Sequence, residues 1–497
     1  MSSSSPTLAT ASAAVDFINA SPSAFHAVAT TRETLLGAGF VELAEGEVWT
    51  LETGGKYFVT RNQSAVMAFA VGGGYTPGAG FTMLGAHTDS PCLKVKPISH
   101  KASEGLLTVG VEVYGGPILH SWFDRDLGLA GRVVVRKADG SLGSHLVRVH
   151  RPLLRVPTLA IHLDRKVNSG FSFNAETELL PVLGSAFQLA FATDDAPAGA
   201  AATSDTEFEV SLGHSTVLLD VLLEALAAED GCAGLARDAI VDFDLVMYDV
   251  QDGTLGGAQN EFIFASQLDN LMMSFCGLRG LLGSLDSLAD DTNVRLVALF
   301  DNEEVGSQSE HGANSNLLQR LVERIIHGLA EAAAAAGSPD VQLSSLYDRT
   351  IRKSFFVSAD MAHAAHPNYR SKHPDTSRPA MNKGPVIKYN ARERYATTGV
   401  SAAILKEVAA RADVPLQAFA CRNDIPCGST IGPMTSAHLG VRTVDMGNPQ
   451  LSMHSAREMC GSRDPALAIA LFEAYFTHFA AIDATLHESF PAAAASS

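Results

Sequence analysis

Val294-Arg295-Leu296-Val297-Ala298-Leu299-Phe300-Asp301-Asn302-Glu303-Glu304-Val305-Gly306-Ser307 joins an apolar run to two adjacent carboxylates. The run reads as a buried strand, and the acidic pair stands at its carboxyl end. Neighbouring carboxylates at the mouth of an apolar strand lose hydration and repel each other, so something must hold them. A divalent metal meets that need: one carboxylate ligates it, and its neighbour serves as a base toward metal-activated water. A solvated acidic turn would have the same local sequence. The residues after the other strands distinguish the two.

Around this stretch, helices and strands alternate. Helices are expected over 217–228, 271–282, 317–335, 400–410 and 465–482, and strands over 241–250, 262–265, 294–300, 355–358, 416–421 and 441–444. Such alternation predicts an α/β domain with a mostly parallel sheet flanked by helices. Toward the N-terminus, a helical pattern over 11–38 is broken by Pro22, and strands are expected near 56–61, 65–71 and 81–84. From about Pro97 the texture changes to β-branched, alternating segments with Gly-rich turns, which predicts a β-rich insertion. The expected domains are therefore 1–96 and 239–497 as two parts of one catalytic unit, with 97–238 inserted between them. The Ala-, Asp-, Gly- and Pro-rich segment 193–206 reads as a flexible loop.

Composition excludes some partners. Lys plus Arg number 36 against 54 for Asp plus Glu, a net charge of −18, which argues against nucleic acid or an anionic membrane. No apolar run reads as long enough to span a bilayer. The N-terminus has no basic start before an apolar stretch, and its first Lys or Arg is Arg32, so neither a secretory signal nor a transit peptide is expected. Cys92, Cys232, Cys276, Cys421, Cys427 and Cys460 form no C-x-x-C pair and suit reduced thiols in a cytoplasmic setting. Cys421 and Cys427 are too isolated from other soft ligands for a structural zinc site.

In open α/β sheets, ligands bind beyond the carboxyl ends of the strands. There stand His87 and Asp89 after 81–84, Asp269 after 262–265, Glu303 and Glu304 after 294–300, and Asp360 and His363 after 355–358. Met453-His454-Ser455 lies in the loop after 441–444. Each has a plain alternative, a core histidine or a helix N-cap. Those alternatives predict no shared location, whereas a metal centre predicts one edge of one sheet every time. Two His and several carboxylates form a mixed N/O set suited to a pair of zinc ions. Asp89, two residues beyond His87, fits a supporting catalytic role, accepting the free imidazole N–H and fixing its tautomer.

Five ordered blocks carry a resemblance: Gly85-Ala86-His87-Thr88-Asp89-Ser90-Pro91, Gln267-Leu268-Asp269-Asn270, Asp301 to Ser307, Ser358-Ala359-Asp360-Met361-Ala362-His363 and Met453-His454-Ser455. Together they resemble the aspartyl aminopeptidases over nearly the full length, insertion included. The resemblance implies a zinc-exopeptidase-like fold and two zinc ions, one site tolerant of manganese or cobalt. His87, Asp269 and Asp360 would hold one ion, with Asp269 bridging to a second held by Glu304 and His454. Glu303 would be the general base toward a bridging water. Implied substrate contacts are Glu303, Asp360, His363, Lys388, Tyr395 and His162. The resemblance also implies a homo-oligomer, a dodecamer, in which the insertion dimerises and lends His162 to a neighbouring site. The implied substrates are peptides with a free, acidic N-terminal residue, whose α-amine would ligate zinc and whose side chain would meet the Lys388 ammonium. Two other readings stand beside this one: a broader, neutral-preferring aminopeptidase of the vacuolar branch, and a non-catalytic scaffold on a dead hydrolase fold. The complete ligand set with Glu303 beside it disfavours the second.

Overall fold

The computed structural model describes residues 6–185, 210–229, 231–337 and 343–486. The segment 193–206 lies outside the described residues. A nine-stranded sheet forms the centre, in the order Val41–Glu42, Lys56–Arg61, Ala65–Val71, Val294–Phe300, Phe81–His87, Phe355–Ala359, Arg442–Gly447, Val386–Tyr389 and Gln417–Ala420. Five of its eight neighbouring pairs are parallel, including those that join the four middle strands. The α/β expectation is met. Strands Ala65–Val71, Phe81–His87, Val294–Phe300 and Phe355–Ala359 are buried at every position, as a sheet covered on both faces requires.

Helices supply that cover. Pro6–Asn19 and Ala24–Gly37 are the two parts of the helical pattern broken by Pro22, and Ser23 caps the second by accepting from the His26 N–H. They pack with Leu268–Gly283, Gly399–Arg411 and Asp464–Asp483 on one face of the sheet. Leu317–Ala335 covers the other face, burying Leu318, Leu321, Val322, Ile325, Ile326 and Leu329 at helical spacing. The last helix, Asp464–Asp483, corrects the expectation that no run is long enough to span a membrane: by length and composition it is. Its apolar residues are spent on the core instead. Leu471, Phe472, Tyr475, Phe476 and Phe479 are buried, and the Tyr475 hydroxyl donates to Phe355 O at 2.9 Å.

A second, six-stranded sheet is wholly antiparallel, in the order Leu142–Leu154, Leu127–Arg136, Ile240–Asp249, Cys92–Ser103, Leu106–Tyr114 and Val182–Ser185. Helix Thr216–Leu226 closes its core with Leu218, Leu219, Leu222 and Leu226. The strand expected at 241–250 as part of the catalytic sheet pairs here instead, with Leu127–Arg136 on one side. This sheet thus runs past residues 97 and 238 at both ends.

A small five-stranded sheet joins Thr254–Gly256, Phe262–Ala265, Glu458–Gly461, Pro449–Leu451 and Ala362–His363. Two of its strands continue the chain just beyond central strands: Ala362–His363 follows Phe355–Ala359, and Pro449–Leu451 follows Arg442–Gly447. It therefore lies along the carboxyl edge of the central sheet.

Among the charges buried inside the central sheet is a tightly held arginine. Arg295 is fully buried, pairs with Asp291 at 2.6 Å, and also donates to the carbonyls of Ser284 and Ser287. Removing one partner of a buried pair leaves the other charge uncompensated. Asp291→Ala is expected to lower unfolding stability by about 3–5 kcal/mol, read from the urea midpoint; an unchanged midpoint would show that the backbone carbonyls alone suffice.

Candidate metal centre

Three middle strands end at one place. His87 closes Phe81–His87, Asp360 follows Phe355–Ala359, and Glu303 and Glu304 follow Val294–Phe300 in a short 3₁₀ turn. That turn is bent sharply by Asn302 and Gly306, both in the left-handed region at φ 61° and 95°. His87 Nε2 lies 3.9 Å from Glu303 Oε2 and 3.9 Å from Asp360 Oδ2.

The remaining two expected ligands come from the small sheet, which corrects the expectation of a single sheet edge. Asp269 opens helix Leu268–Gly283 after strand Phe262–Ala265, and His454 stands between Pro449–Leu451 and Glu458–Gly461. Because the small sheet lies along the central sheet's edge, both side chains still reach the same point. Asp269 turns one carboxylate oxygen to each imidazole: Oδ1 is 3.6 Å from His87 Nε2, and Oδ2 is 3.4 Å from His454 Nε2. Glu304 Oε2 is 3.3 Å from His454 Nε2.

Asp89 does more than the sequence suggests. It lies 3.3 Å from His87 Nδ1, and its two oxygens also accept from the backbone N–H groups of Glu303 and Glu304, each at 3.1 Å. The Tyr114 hydroxyl donates to it at 2.7 Å. One residue thus fixes an imidazole, with its backbone carbonyl 3.0 Å from His87 Nδ1 and its carboxylate beside it, and that carboxylate also holds the turn that carries the acidic pair.

Burial and mutual repulsion shape the charges. Burial pushes Glu303 up to about 8, with Asp360, Asp89 and Asp269 adding to the rise and His87 opposing it. Burial and Asp269 raise Glu304 well above the carboxylate range. His454 rises to about 9: burial works against its charged form, but the hydrogen bond and charge of Asp269 outweigh it. His87 is raised for the same kind of reason, burial being overcome by Asp89, Glu303 and Asp269. Asp89 and Asp269 are pulled down by the imidazoles despite burial.

Several functional neighbours were not singled out from the sequence. Tyr114, Gly115 and Gly116 end a strand of the six-stranded sheet and lie over the site. Gly116 O is 3.0 Å from His454 Nδ1, and a side chain on Gly115, at φ 73°, would press on Glu304. Buried Glu458 accepts from the N–H groups of Asp269 and His454 at 3.0 and 2.7 Å. A strand ending in Tyr-Gly-Gly is a faint signal. Glu458 gives none, since its role depends on its register opposite Ala265.

On the substrate side, Lys388 is 3% exposed and donates to Asp360 Oδ1 at 2.9 Å, with its ammonium 5.5 Å from the Tyr395 ring centre. Tyr395 and His363 both pack on Phe419. His162 stands apart, exposed on a turn of the inserted segment.

The donor set fits a divalent metal. His87, Glu303 and Asp360 form one group of mutually close ligand atoms, and His87, Asp269 and Glu304 another. Asp269 Oδ1 and Glu304 Oε1 are buried acceptors without a hydrogen-bond donor, which is where a cation would be expected. Residues 17–476 match the family described as Aminopeptidase I zinc metalloprotease (M18). The chain belongs to that family. It is 47% identical to the aspartyl aminopeptidase of Aspergillus oryzae, over 95% of this chain and 96% of that one. Against the aspartyl aminopeptidase of Dictyostelium discoideum the identity is 46%, over 94% and 96%. Among solved structures, that of the Ape4 and Nbr1 complex superposes with a TM-score of 0.89 at 45% identity, covering 97% of this chain and 89% of that chain. As a member of the M18 family the protein is a zinc aminopeptidase, and it has His, Asp and Glu groups that could hold the metal.

These shifts predict how the metal-free protein responds to pH. Unfolded, Glu titrates near ~4.3 and His near ~6.5; folded, Glu303, Glu304, His87 and His454 all hold protons to higher pH. The native state thus binds more protons than the unfolded one between about pH 5 and about pH 8, and stability falls as pH rises through that window. The lowered Asp89 and Asp269 act the other way only below ~3.9, outside it. His26 and His363, each lowered to about 4 by burial, act the other way up to ~6.5 and are outnumbered by the four raised groups. Chelator-treated protein should melt at a lower temperature at about pH 8 than at about pH 5, with zinc restoring more at the higher pH. A melting temperature that rises with pH would contradict this.

Proposed function

We propose that the protein removes acidic residues, Asp and Glu, from the N-termini of peptides, using two zinc ions per subunit. The observation that carries the two-ion reading is Asp269, whose two oxygens face two different imidazoles. His87, Asp269 and Asp360 would hold one ion, and Asp269, Glu304 and His454 the other; one site is expected to accept manganese or cobalt. When bound, zinc supplies a Lewis acid for the scissile carbonyl and acidifies water for attack.

Glu303 then works as the proton carrier. Its carboxylate takes the proton of the attacking water and passes it to the leaving amine nitrogen. The Asp89 hydrogen bonds to the N–H groups of Glu303 and Glu304 keep base and ligand turned in different directions. Asp89 also orients His87 by holding the ring at Nδ1, leaving Nε2 toward the site.

Acidic selectivity is assigned to Lys388. An ammonium has three N–H donors, and Asp360 takes one of them, which leaves donors for a substrate carboxylate. In so buried a setting, a neutral side chain would leave those donors unpaired, and this disfavours it. Tyr395 and His363 would wall the same pocket. The names of the two relatives, aspartyl aminopeptidases, support the acidic preference.

Assembly is proposed to be a dodecamer, with the six-stranded sheet pairing subunits and the exposed His162 serving a neighbour's site. Support comes from a solved S. cerevisiae mApe1 dodecamer, which superposes with a TM-score of 0.77 at 28% identity over 95% of this chain and 98% of that chain. Six free thiols suit a reducing, cytoplasmic setting.

The deciding assay offers Asp-, Glu-, Leu- and Lys-anilides to the zinc-loaded protein, with hydrolysis of the two acidic substrates expected and a Leu preference speaking for the neutral reading. Glu303→Gln should keep its zinc but lose roughly 10²–10⁴-fold in turnover; near-normal turnover would remove Glu303 from its role. Lys388→Ala should cut the Asp-to-Leu preference by about 10–100-fold with little loss of zinc, whereas an unchanged preference would put the selectivity elsewhere.

A further inference from the structure

Cys421 and Cys427 are the two cysteines that stand partly open, while Cys92, Cys232, Cys276 and Cys460 are buried. They flank a short turn just after central-sheet strand Gln417–Ala420, where the Ile425 N–H returns to Arg422 O. The turn sets both thiols against one small cluster that includes Tyr395 and Phe419. Both line a cavity of about 630 Å³ shared with Asn390, Arg392, Arg394 and Ser429, so a small polar reagent has room to reach them.

Their surroundings differ. Cys427 has Cys421, Tyr395 and Asn390 as neighbours that favour its charged form, and Lys388 adds its positive charge. These contacts stabilise a negative sulfur, holding the Cys427 thiol below its ordinary range, whereas the same pair contact and burial push Cys421 up. Nucleophile and resolving thiol are thereby distinguished by their neighbours.

We propose that Cys421 and Cys427 form a modification site, a dithiol that hydroperoxides oxidise to a reversible disulfide. The Cys427 thiolate attacks a peroxide oxygen; the O–O bond breaks, hydroxide leaves and takes up a proton, and Cys427 becomes a sulfenic acid. The Cys421 sulfur then attacks the Cys427 sulfur, the S–O bond breaks, and a second water leaves. Two thiols are oxidised by two electrons and hydrogen peroxide is reduced to two waters, and a dithiol reductant reverses the product.

The site has a lever on the pocket. Cys427 packs on the cluster that contains Tyr395, whose ring faces the Lys388 ammonium, which in turn holds Asp360. A disulfide takes that sulfur away from Tyr395 and tightens the loop leading into helix Ile431–Leu439. This consequence rests on the proposed placing of Tyr395 and Lys388 beside the substrate side chain; the oxidation itself does not.

The test treats zinc-loaded enzyme with hydrogen peroxide, maps peptides by mass spectrometry before and after dithiothreitol, and follows acidic-anilide hydrolysis in the same samples. Wild type should gain a Cys421–Cys427 cross-link, lose two alkylatable thiols and lose activity in parallel, all restored by the reductant. Cys421→Ser should form no cross-link and instead let dimedone trap Cys427 as its sulfenic acid. Both cysteines remaining fully alkylatable after peroxide, or cross-links forming only between other cysteines, would overturn the proposal. A mapped cross-link with unchanged activity would uphold the modification site and count against Tyr395 as part of the substrate wall.

Discussion

Four buried or nearly buried carboxylates, Asp269, Glu303, Glu304 and Asp360, are pressed together at one sheet edge, and unscreened they repel. Much of the nearby architecture counters that repulsion. Two imidazoles and the Lys388 ammonium are set among them. Asp89 and Glu458 are carboxylates that add to the repulsion, but each is turned to accept backbone N–H groups and so holds the neighbouring acidic and imidazole residues in place. What charge remains unbalanced is the part that zinc, the metal of this family, is suited to neutralise.

The six-stranded sheet has a second role in that balance. Its strand Leu106–Tyr114 ends at the site, where the Tyr114 hydroxyl donates a hydrogen bond to Asp89 and itself accepts from the Asn302 amide at 2.9 Å. The insertion is therefore joined to the centre by hydrogen bonds as well as by chain. Gly115 and Gly116 let that strand end approach Glu304 and His454 closely, where a side chain would collide or crowd.

Much of this was legible because chemistry follows strand ends. Phe81–His87, Val294–Phe300 and Phe355–Ala359 are apolar runs whose burial can be read from composition, and the residues after them are His87, Glu303, Glu304 and Asp360. The partner of a strand is less legible. The apolar pattern at Ile240–Asp249 says strand but not which sheet, and the antiparallel register with Leu127–Arg136 is a long-range fact. The same limit hid the small sheet, whose strands are short and far apart in the chain. It hid Glu458 and Tyr114 too, because each matters only through residues brought to it by pairing.

The proposed ligands are spread from His87 to His454, and the last of them stands between the strands Pro449–Leu451 and Glu458–Gly461, shortly before helix Asp464–Asp483. A chain emerging from the ribosome presents the imidazole facing Asp269 only after the other proposed ligands. The helix that closes the core follows directly after it. Under the proposed assignment the centre stays incomplete until His454 and the two strands around it have been made, so a chain cut short before them would carry an unfinished centre.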